Sequence, residues 1–549
     1  MKMIRENNLF KKAFLPILII VLFGFVYLLP FFRNEFYITH DSEPQVARSA
    51  AVYKALLDGQ VPPRWAGDLN FYYGVPSPNF FFPLMGYLMT IIHLMGFSLE
   101  TSYKIIMGSA FVLSGVTFYL WISQRFNPKI AFASALFYML APYHFLDVFV
   151  RGQLGEMLAF TFAPLVLYSI DKNSKNNTVL YIGIGALFYA FLVISHNILA
   201  LLFSIIFGSY ILFFNLKKGV FIKNVMLIGL GLILSFYFWA PALFEGKYIN
   251  SKTFISDFYN GNFLAITDIV YSPWGFGSNI NEPEGLAPQL GILYATLILV
   301  SIVGLGNRKI RKKIIFWLGI LIFSVFFSTQ YSGFIWEQFH MIQQFQFPWR
   351  FMAIASFSSV VLSAYAFGII KKNWIIYPAI LLLLLSSIPY IKVAGFTNKN
   401  DSFYLNYPWT GAYHGESTTI WTAGDASEYP AFPVEIISGI GEIRNYERKS
   451  NLHTFIVAAV TDVRVKDNTT YYPGWRVYVD GKEADIQFQD PNHRGLITFG
   501  IPKGEHGVEV KFGETVFRFT ANLISLSSML ILVGIFLFRK RFDSVLRRI

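Results

Sequence analysis

The sequence predicts an all-α polytopic membrane protein, with about twelve transmembrane helices and one interfacial helix, that carries a C-terminal antiparallel β-sandwich outside the bilayer. Three observations carry this expectation. Of 549 residues, 54% are apolar and only 14% charged, whereas a soluble domain carries about 25% charged residues. Apolar runs of span length recur along residues 1–390, and the mean hydropathy is +0.47. Between 391 and 519 the texture changes to the alternation of strands. The composition excludes an ordinary soluble enzyme and a disordered protein. Cysteine is absent, which excludes disulfides, Cys-ligated zinc, iron–sulfur clusters and thiol nucleophiles.

Backbone polar groups must be satisfied within lipid, so the apolar runs are read as helices. The expected spans are 13–32, 104–122, 128–146, 155–170, 178–194, 197–215, 225–244, 289–306, 314–330, 351–370, 373–390 and 520–538. The first reads as a signal anchor, because its apolar run is too long for a signal-peptide core. Pro142, Pro164 and Pro241 lie in or beside spans and are expected to kink them.

The run 80–97 is also apolar, and charge decides its placement. Lys and Arg favour cytoplasmic loops. If 80–97 does not cross, one face collects 23 Lys/Arg against Glu6, Asp171 and Asp543. If it crosses, the Arg308–Lys313 cluster turns outward. The run is therefore expected to be re-entrant or interfacial on the outer side, with both termini cytoplasmic. The net charge of +12 then reflects topology and needs no nucleic-acid partner.

Three outer segments are long: 33–103, 245–288 and 391–519. The third is expected to be a domain of its own between the membrane module 1–390 and a final helix with a basic tail, 520–549. Residues 453–460, 475–488, 495–501 and 506–512 read as strands, with Asp480-Gly481 and Lys503-Gly504 as turns.

The candidate chemistry falls on the outer side. Thr39-His40-Asp41-Ser42-Glu43 follows the first span closely. Asp41 and Glu43, at i and i+2, suit a divalent cation or general-base work. They equally suit the first turn of a helix over 44–57. Arg64 and the aromatics of Gln60–Trp65 and Asn70–Gly74 suit sugar stacking or interfacial anchoring. Asp147, Arg151 and Glu156 bracket the entry to another span, where an ionisable group near lipid needs a partner and marks function by default. Arg151 is the natural partner of Glu156, or a phosphate clamp. His196 lies on a tight outer turn, and Arg350 enters a span beside Trp349, either to hold a phosphate or to snorkel. Tyr271–Gly277 has the glycines and rings of a substrate-covering loop. The inner loops are short and hold no phosphate-cradling glycine motif, which excludes an ATP-driven pump.

These residues resemble the GT-C superfamily, integral-membrane glycosyltransferases that use polyprenyl-phosphate sugars. More narrowly, His40-Asp41, Gly59–Trp65, Tyr73–Pro76, Ala141–Tyr143, Arg151-Gly152, Glu156–Phe160 and Gln346–Phe351 resemble bacterial membrane proteins labelled 6-pyruvoyl-tetrahydropterin-synthase-related. No soluble pterin-synthase domain and no His-rich zinc motif accompany that label. Tyr471–Gly481 is similar to the C-terminal part of a related family of envelope glycosylation proteins.

The resemblance implies transfer, with inversion, of a sugar from a polyprenyl-phosphate carrier to an envelope glycan, lipid or protein at the outer face of the cytoplasmic membrane. Asp41 would act on the acceptor hydroxyl. Arg64, Arg151, Arg350 and His196 would bind substrate or its phosphate. Asp41, Glu43 and Glu156 are the candidate ligands for a divalent cation, Mg or Mn, although the pair is Asp-x-Glu and not Asp-x-Asp. The alternative is a transporter or flippase of lipid-linked sugars, which predicts ionisable residues deep in facing helices and repeated halves. Neither stands out in the sequence.

Overall fold

The computed structural model describes residues 2–176, 178–250, 258–280, 282, 284–370, 373–412 and 415–546, without the side chains of 2–13, 373, 545 and 546. Lys371 and Lys372, assigned above to an inner loop, lie outside the described residues.

Every expected span has a helical counterpart, but not all are long. Six helices are long and apolar enough to cross a membrane: Leu99–Ile122, Pro128–Arg151, Leu154–Lys175, Asn197–Phe214, Pro348–Ile369 and Val516–Leu537. A seventh candidate is the pair Lys218–Leu234 and Phe236–Tyr248, bent by 67°. Phe14–Tyr27, Leu180–Ser195, Ile292–Gly306 and Ile376–Ile391 are apolar but shorter. By length and composition the described residues thus supply six spans, or seven with the bent pair, where the sequence predicts about twelve. The difference has two sources: four counterparts stay under 18 residues even with their 3-10 turns counted, and Arg308–Ser328 is long enough but opens with a cluster of Lys and Arg.

The bend is built, not merely tolerated. Ser525 of the last helix inserts at the break: its hydroxyl accepts the Tyr237 N–H at 2.8 Å and donates to the Ile233 carbonyl at 3.0 Å. Both backbone groups freed by the kink are satisfied, as apolar surroundings require.

The loops sort onto two faces. On one, Arg125 pairs with Asp171, Lys223 donates to the Asn173 carbonyl at 2.7 Å, and Asp543 accepts the Val179 N–H at 2.8 Å. On the other lie the first long loop, the second long loop and the β-region. Pro83–Leu94 begins and ends on this second face: Phe82 packs on His196 at 4.9 Å, while Asp401 accepts the Leu99 N–H at 2.8 Å just beyond the helix. Asp401 belongs to the segment leading to the β-region, so both ends of 83–94 touch one side.

The β-region has two antiparallel sheets. Val434–Ser438, Val463–Thr470 and Leu496–Ile501 form one, with Val463–Thr470 central. The other runs in the order Gly441–Lys449, Leu452–Ala459, Gly504–Phe512, Trp475–Val479 and Lys482–Ala484. Asp480 and Gly481 both have positive φ, +49° and +76°, as a two-residue type I′ hairpin demands. Alternate side chains of both sheets, among them Phe455, Val457, Val477, Val508, Val465 and Phe499, share one apolar cluster.

That cluster also contains Trp65 of the first long loop, fully buried. The β-region therefore does not complete its core from 391–519 alone, and Trp65 serves neither as an interfacial anchor nor as a sugar-stacking ring. The first loop is bound to the β-region elsewhere too: Phe36 and Tyr37 pair with Thr397 and Phe396, and the Thr470 N–H donates to the Tyr73 carbonyl at 2.8 Å.

Candidate functional site

The helix Ser42–Leu57 starts at Asp41, as the acidic cap and Pro44 predict. Asp41 nevertheless makes no side-chain cap bond. Thr39 Oγ1 instead accepts the Ser42 N–H at 3.1 Å. The half-buried carboxylate of Asp41 is turned toward the Gln153 side-chain amide, which donates to it.

Gln153 arrives there because two chain segments are zipped together. The His40 N–H donates to the Val150 carbonyl and the Asp41 N–H to the Arg151 carbonyl, both at 2.9 Å. Gly152 makes this approach feasible. Its φ is +70°, and a Cβ there would fall 2.1 Å from Thr39 Oγ1. The Gly152 carbonyl in turn accepts from Gln45 at 2.8 Å and from the Tyr103 hydroxyl at 2.6 Å.

Below this junction lies a buried charge cluster. Asp147 and Arg151 sit at i and i+4 on a π-helical turn, Leu146–Arg151, a distortion frequent at functional sites. Arg151 contacts Asp147 Oδ1 at 2.5 Å through one guanidinium nitrogen and Glu156 Oε1 at 2.8 Å through the other. The Tyr143 hydroxyl donates to Glu156 Oε2 at 3.2 Å. His196 Nδ1 accepts the Leu199 N–H and so caps the helix Asn197–Phe214. That bond places the ring proton on Nε2, which faces Glu156 Oε1 at 3.8 Å.

Trp349 and Arg350 close the cluster. The Arg151 guanidinium lies 4.6 Å from the Trp349 ring centre. Arg350 is within electrostatic range of Glu156, Arg151, Tyr143 and Asp41. It donates to the Phe345 carbonyl at 3.1 Å and to Gln346 Oε1 at 2.6 Å, while its buried Nε has no hydrogen-bond partner among the described residues. The second long loop reaches the segment that leads into Asp41, because the Phe276 carbonyl lies 2.8 Å from His40 Nε2. Residues 251–257, 281 and 283 of that loop lie outside the described residues.

The structure thus brings together Asp41, Arg151, Glu156, His196 and Arg350. It does not bring Arg64 to them as a phosphate ligand. Arg64 is buried and donates to Asn79 at 3.0 Å, the Tyr237 carbonyl at 2.8 Å, Asn522 at 2.9 Å and Glu514 at 3.3 Å. It is a structural tie to the last helix. Glu43 is likewise engaged elsewhere, by Lys399 and the Tyr407 hydroxyl. Asp41, Glu43 and Glu156 therefore do not fit a single divalent-cation site. Both Glu156 oxygens are taken by Arg151 and Tyr143, and among the described residues no three His, Asp or Glu side chains gather as metal ligands. Gln153 joins the site without any mark in the sequence, since a neutral amide has no pairing requirement. Asp147 was readable through its i,i+4 spacing to Arg151 on a helix.

Apolar helices enclosing a buried charge cluster, with a β-region docked on the same face, define a polytopic membrane protein with one elaborated side. A family model described as "6-pyruvoyl-tetrahydropterin synthase related domain; membrane protein" matches residues 79–394, more than half of the chain. The chain belongs to this family. The match includes Arg151, Glu156, His196 and Arg350, but neither Asp41 nor the β-region. An uncharacterized protein of Lactococcus lactis subsp. cremoris (strain MG1363) is 27% identical over 252 residues, covering 43% of this chain and 40% of its own length. Among solved structures, arabinofuranosyltransferase AftD from Mycobacteria is similar with a TM-score of 0.48 and 11% identity, over 69% of this chain and 27% of its own. The Archaeoglobus fulgidus oligosaccharyltransferase in the apo form is similar with a TM-score of 0.45 and 14% identity, over 77% of this chain and 62% of its own.

Proposed function

We propose that the chain is a GT-C-type glycosyltransferase. In this reading it crosses the cytoplasmic membrane twelve times, keeps both termini inside, and transfers a sugar from a polyprenyl-phosphate carrier to an envelope glycan, lipid or protein on the outer face. The observation that carries the reading is the Asp41 carboxylate. It makes no cap bond to its own helix, is held by the Gln153 amide, and sits on a segment bonded to the turn that carries Arg151.

In the reaction, Asp41 accepts the proton of the acceptor hydroxyl as that oxygen attacks the anomeric carbon. The bond from the anomeric carbon to the phosphate oxygen breaks, the configuration inverts, and polyprenyl phosphate departs. Its developing charge needs a preorganised cation. Arg350 is better suited to this than Arg151, whose two guanidinium nitrogens already serve Asp147 and Glu156. Arg151, Glu156 and His196 hold the turn that carries Gln153.

The test uses membrane vesicles supplied with radiolabelled polyprenyl-phosphate sugar. Asp41→Asn should abolish label transfer while protein abundance and elution in detergent stay unchanged. Full transfer by Asp41→Asn would remove the residue from the mechanism. Movement of donor lipid between leaflets without bond formation would replace transfer with transport.

A further inference from the structure

Asn70, Phe71 and Tyr72 are three consecutive non-glycine residues with left-handed backbone, at φ +58°, +53° and +68°. In that region Cβ crowds the following carbonyl oxygen, so non-glycine residues visit it singly and not in runs. The fold ties this turn down from several directions. The Asn70 and Phe71 N–H groups donate to the carbonyls of Trp409 and Pro408, at 3.3 and 2.5 Å. Asn70 Oδ1 accepts the Ala426 N–H at 2.8 Å. Arg448 donates to the Tyr72 carbonyl at 2.7 Å and lies over the Tyr72 ring at 4.9 Å. Strain retained under so many restraints fixes what the turn displays.

What it displays is aromatic. Phe71 and Tyr72 pack on Tyr429 at 5.2 and 5.3 Å. Trp409, on the segment bonded to the turn, packs on Tyr407 at 5.0 Å. Trp409 is 51% exposed and Tyr429 46%. The strip leads toward the site, because the Tyr407 hydroxyl reaches Glu43 at 3.4 Å, two positions after Asp41. Of the basic groups nearby, Arg448 is engaged by the Gly67 and Tyr72 carbonyls and Lys399 by Glu43; the other polar groups beside the rings are acidic or neutral: Asp425 beside Thr410, exposed Glu428, and Asn406 on the Tyr72 hydroxyl.

Open rings give dispersion contacts to C–H faces. Carboxylates and amides beside them accept hydroxyl hydrogens, and an acidic rim repels anionic lipid headgroups and polyanions. We propose that Phe71, Tyr72, Trp409 and Tyr429 form a platform for a neutral carbohydrate acceptor, laid so that its growing end reaches Asp41. The proposal rests on the glycosyl-transfer reading of the Asp41 site.

The experiment presents the full chain in nanodiscs to an immobilised panel of neutral bacterial polysaccharides. The wild type should be captured by at least one of them. Trp409→Ala and Tyr429→Ala should each weaken capture about tenfold or more, the usual scale for an exposed aromatic anchor, and Gly208→Ala, whose Cβ position has nothing within 4 Å, should bind as the wild type does. No capture of the wild type, or equal capture of both ring variants, overturns the platform. Because the chain has no cysteine, Trp409→Cys can carry a single fluorophore. Quenching by brominated lipid would place the strip in the bilayer and also overturn the proposal. Trp409-dependent capture by a protein that transfers no sugar would support the platform and overturn the transfer reading alone, so the two failures are distinct.

Discussion

The indole of Trp65 meets that of Trp475 edge to face at 5.5 Å, so a side chain from the first long loop sits in the core of a β-region four hundred positions later in the chain. Gly74, at φ +75°, lies under the same indole, and a Cβ there would fall 2.6 Å from the ring. Trp65→Ala should cost about 3–5 kcal/mol of local stability, as for other buried tryptophans. Limited proteolysis in detergent should then release a β-region fragment that the wild type protects. Gly74→Ala should do the same with Trp65 intact. Equal protease resistance in both variants would show that the docking does not depend on this contact.

Gly152 separates geometry from charge at the candidate site. Gly152→Ala adds no charge and removes none, yet its methyl would collide with Thr39 and the left-handed backbone would cost about 1–2 kcal/mol more. The expected outcome is loss of transfer as severe as in Asp41→Asn, with the helices still folded by circular dichroism. Gly155→Ala is not a neutral control, since its Cβ would meet Phe82 and the Ser195 carbonyl at 2.6 Å. Gly208→Ala is, because nothing lies within 4 Å of its Cβ position.

Three arginines singled out by the sequence have different tasks, and their variants should differ in kind. Arg64→Ala strands Asn79, Asn522 and the Tyr237 carbonyl in a buried junction and should lower yield and melting temperature. Arg151→Lys keeps the charge but loses the planar fork that spans Asp147 and Glu156, and it should also destabilise. Arg350→Ala strands only the Phe345 carbonyl and Gln346, so it should lower melting by less than the other two and lower kcat for transfer. Thermal melting followed by size-exclusion, run beside a transfer assay, separates the three. A stable, fully active Arg350→Ala would remove Arg350 from the leaving-group side.

The helices and much of the site were legible because membrane segments obey simple rules: an apolar run must be helical, and an ionisable group at its edge needs a partner. Arg151 and Glu156 could be paired on that ground. Crossing lengths were less legible, since apolar composition does not say where a helix stops, and Leu180–Ser195 and Ile292–Gly306 end short of span length. Four strands showed alternation. Gly441–Lys449 did not, because its side chains are mostly exposed or half-buried on both faces of an edge strand. Arg64 misled for a specific reason. A guanidinium in an outer loop looks the same whether it meets phosphate or the end of a helix hundreds of residues away. Gln153 was invisible, since only the zipped backbone of His40–Asp41 against Val150–Arg151 gives its amide a purpose.

Arg518 and Glu245 supply the last prediction. Arg518, fully buried near the start of the final helix, donates through Nε to both Glu245 oxygens at 2.9 and 3.0 Å and through Nη2 to the Pro473 carbonyl. Glu245 also accepts from Asn79 and from the Tyr472 hydroxyl, each at 2.8 Å. One carboxylate thus joins the bent helix, the last helix, the first loop and the β-region. Removing one partner leaves a buried charge uncompensated, which costs about 3–5 kcal/mol, whereas replacing both by apolar groups is often close to neutral. Glu245→Leu and Arg518→Leu should each lower the melting temperature strongly, and the double variant should fall by less than the sum. Additive losses would mean that the two residues do not act as a pair, and the β-region would then be held to the membrane module by Trp65 and the Arg64 contacts instead.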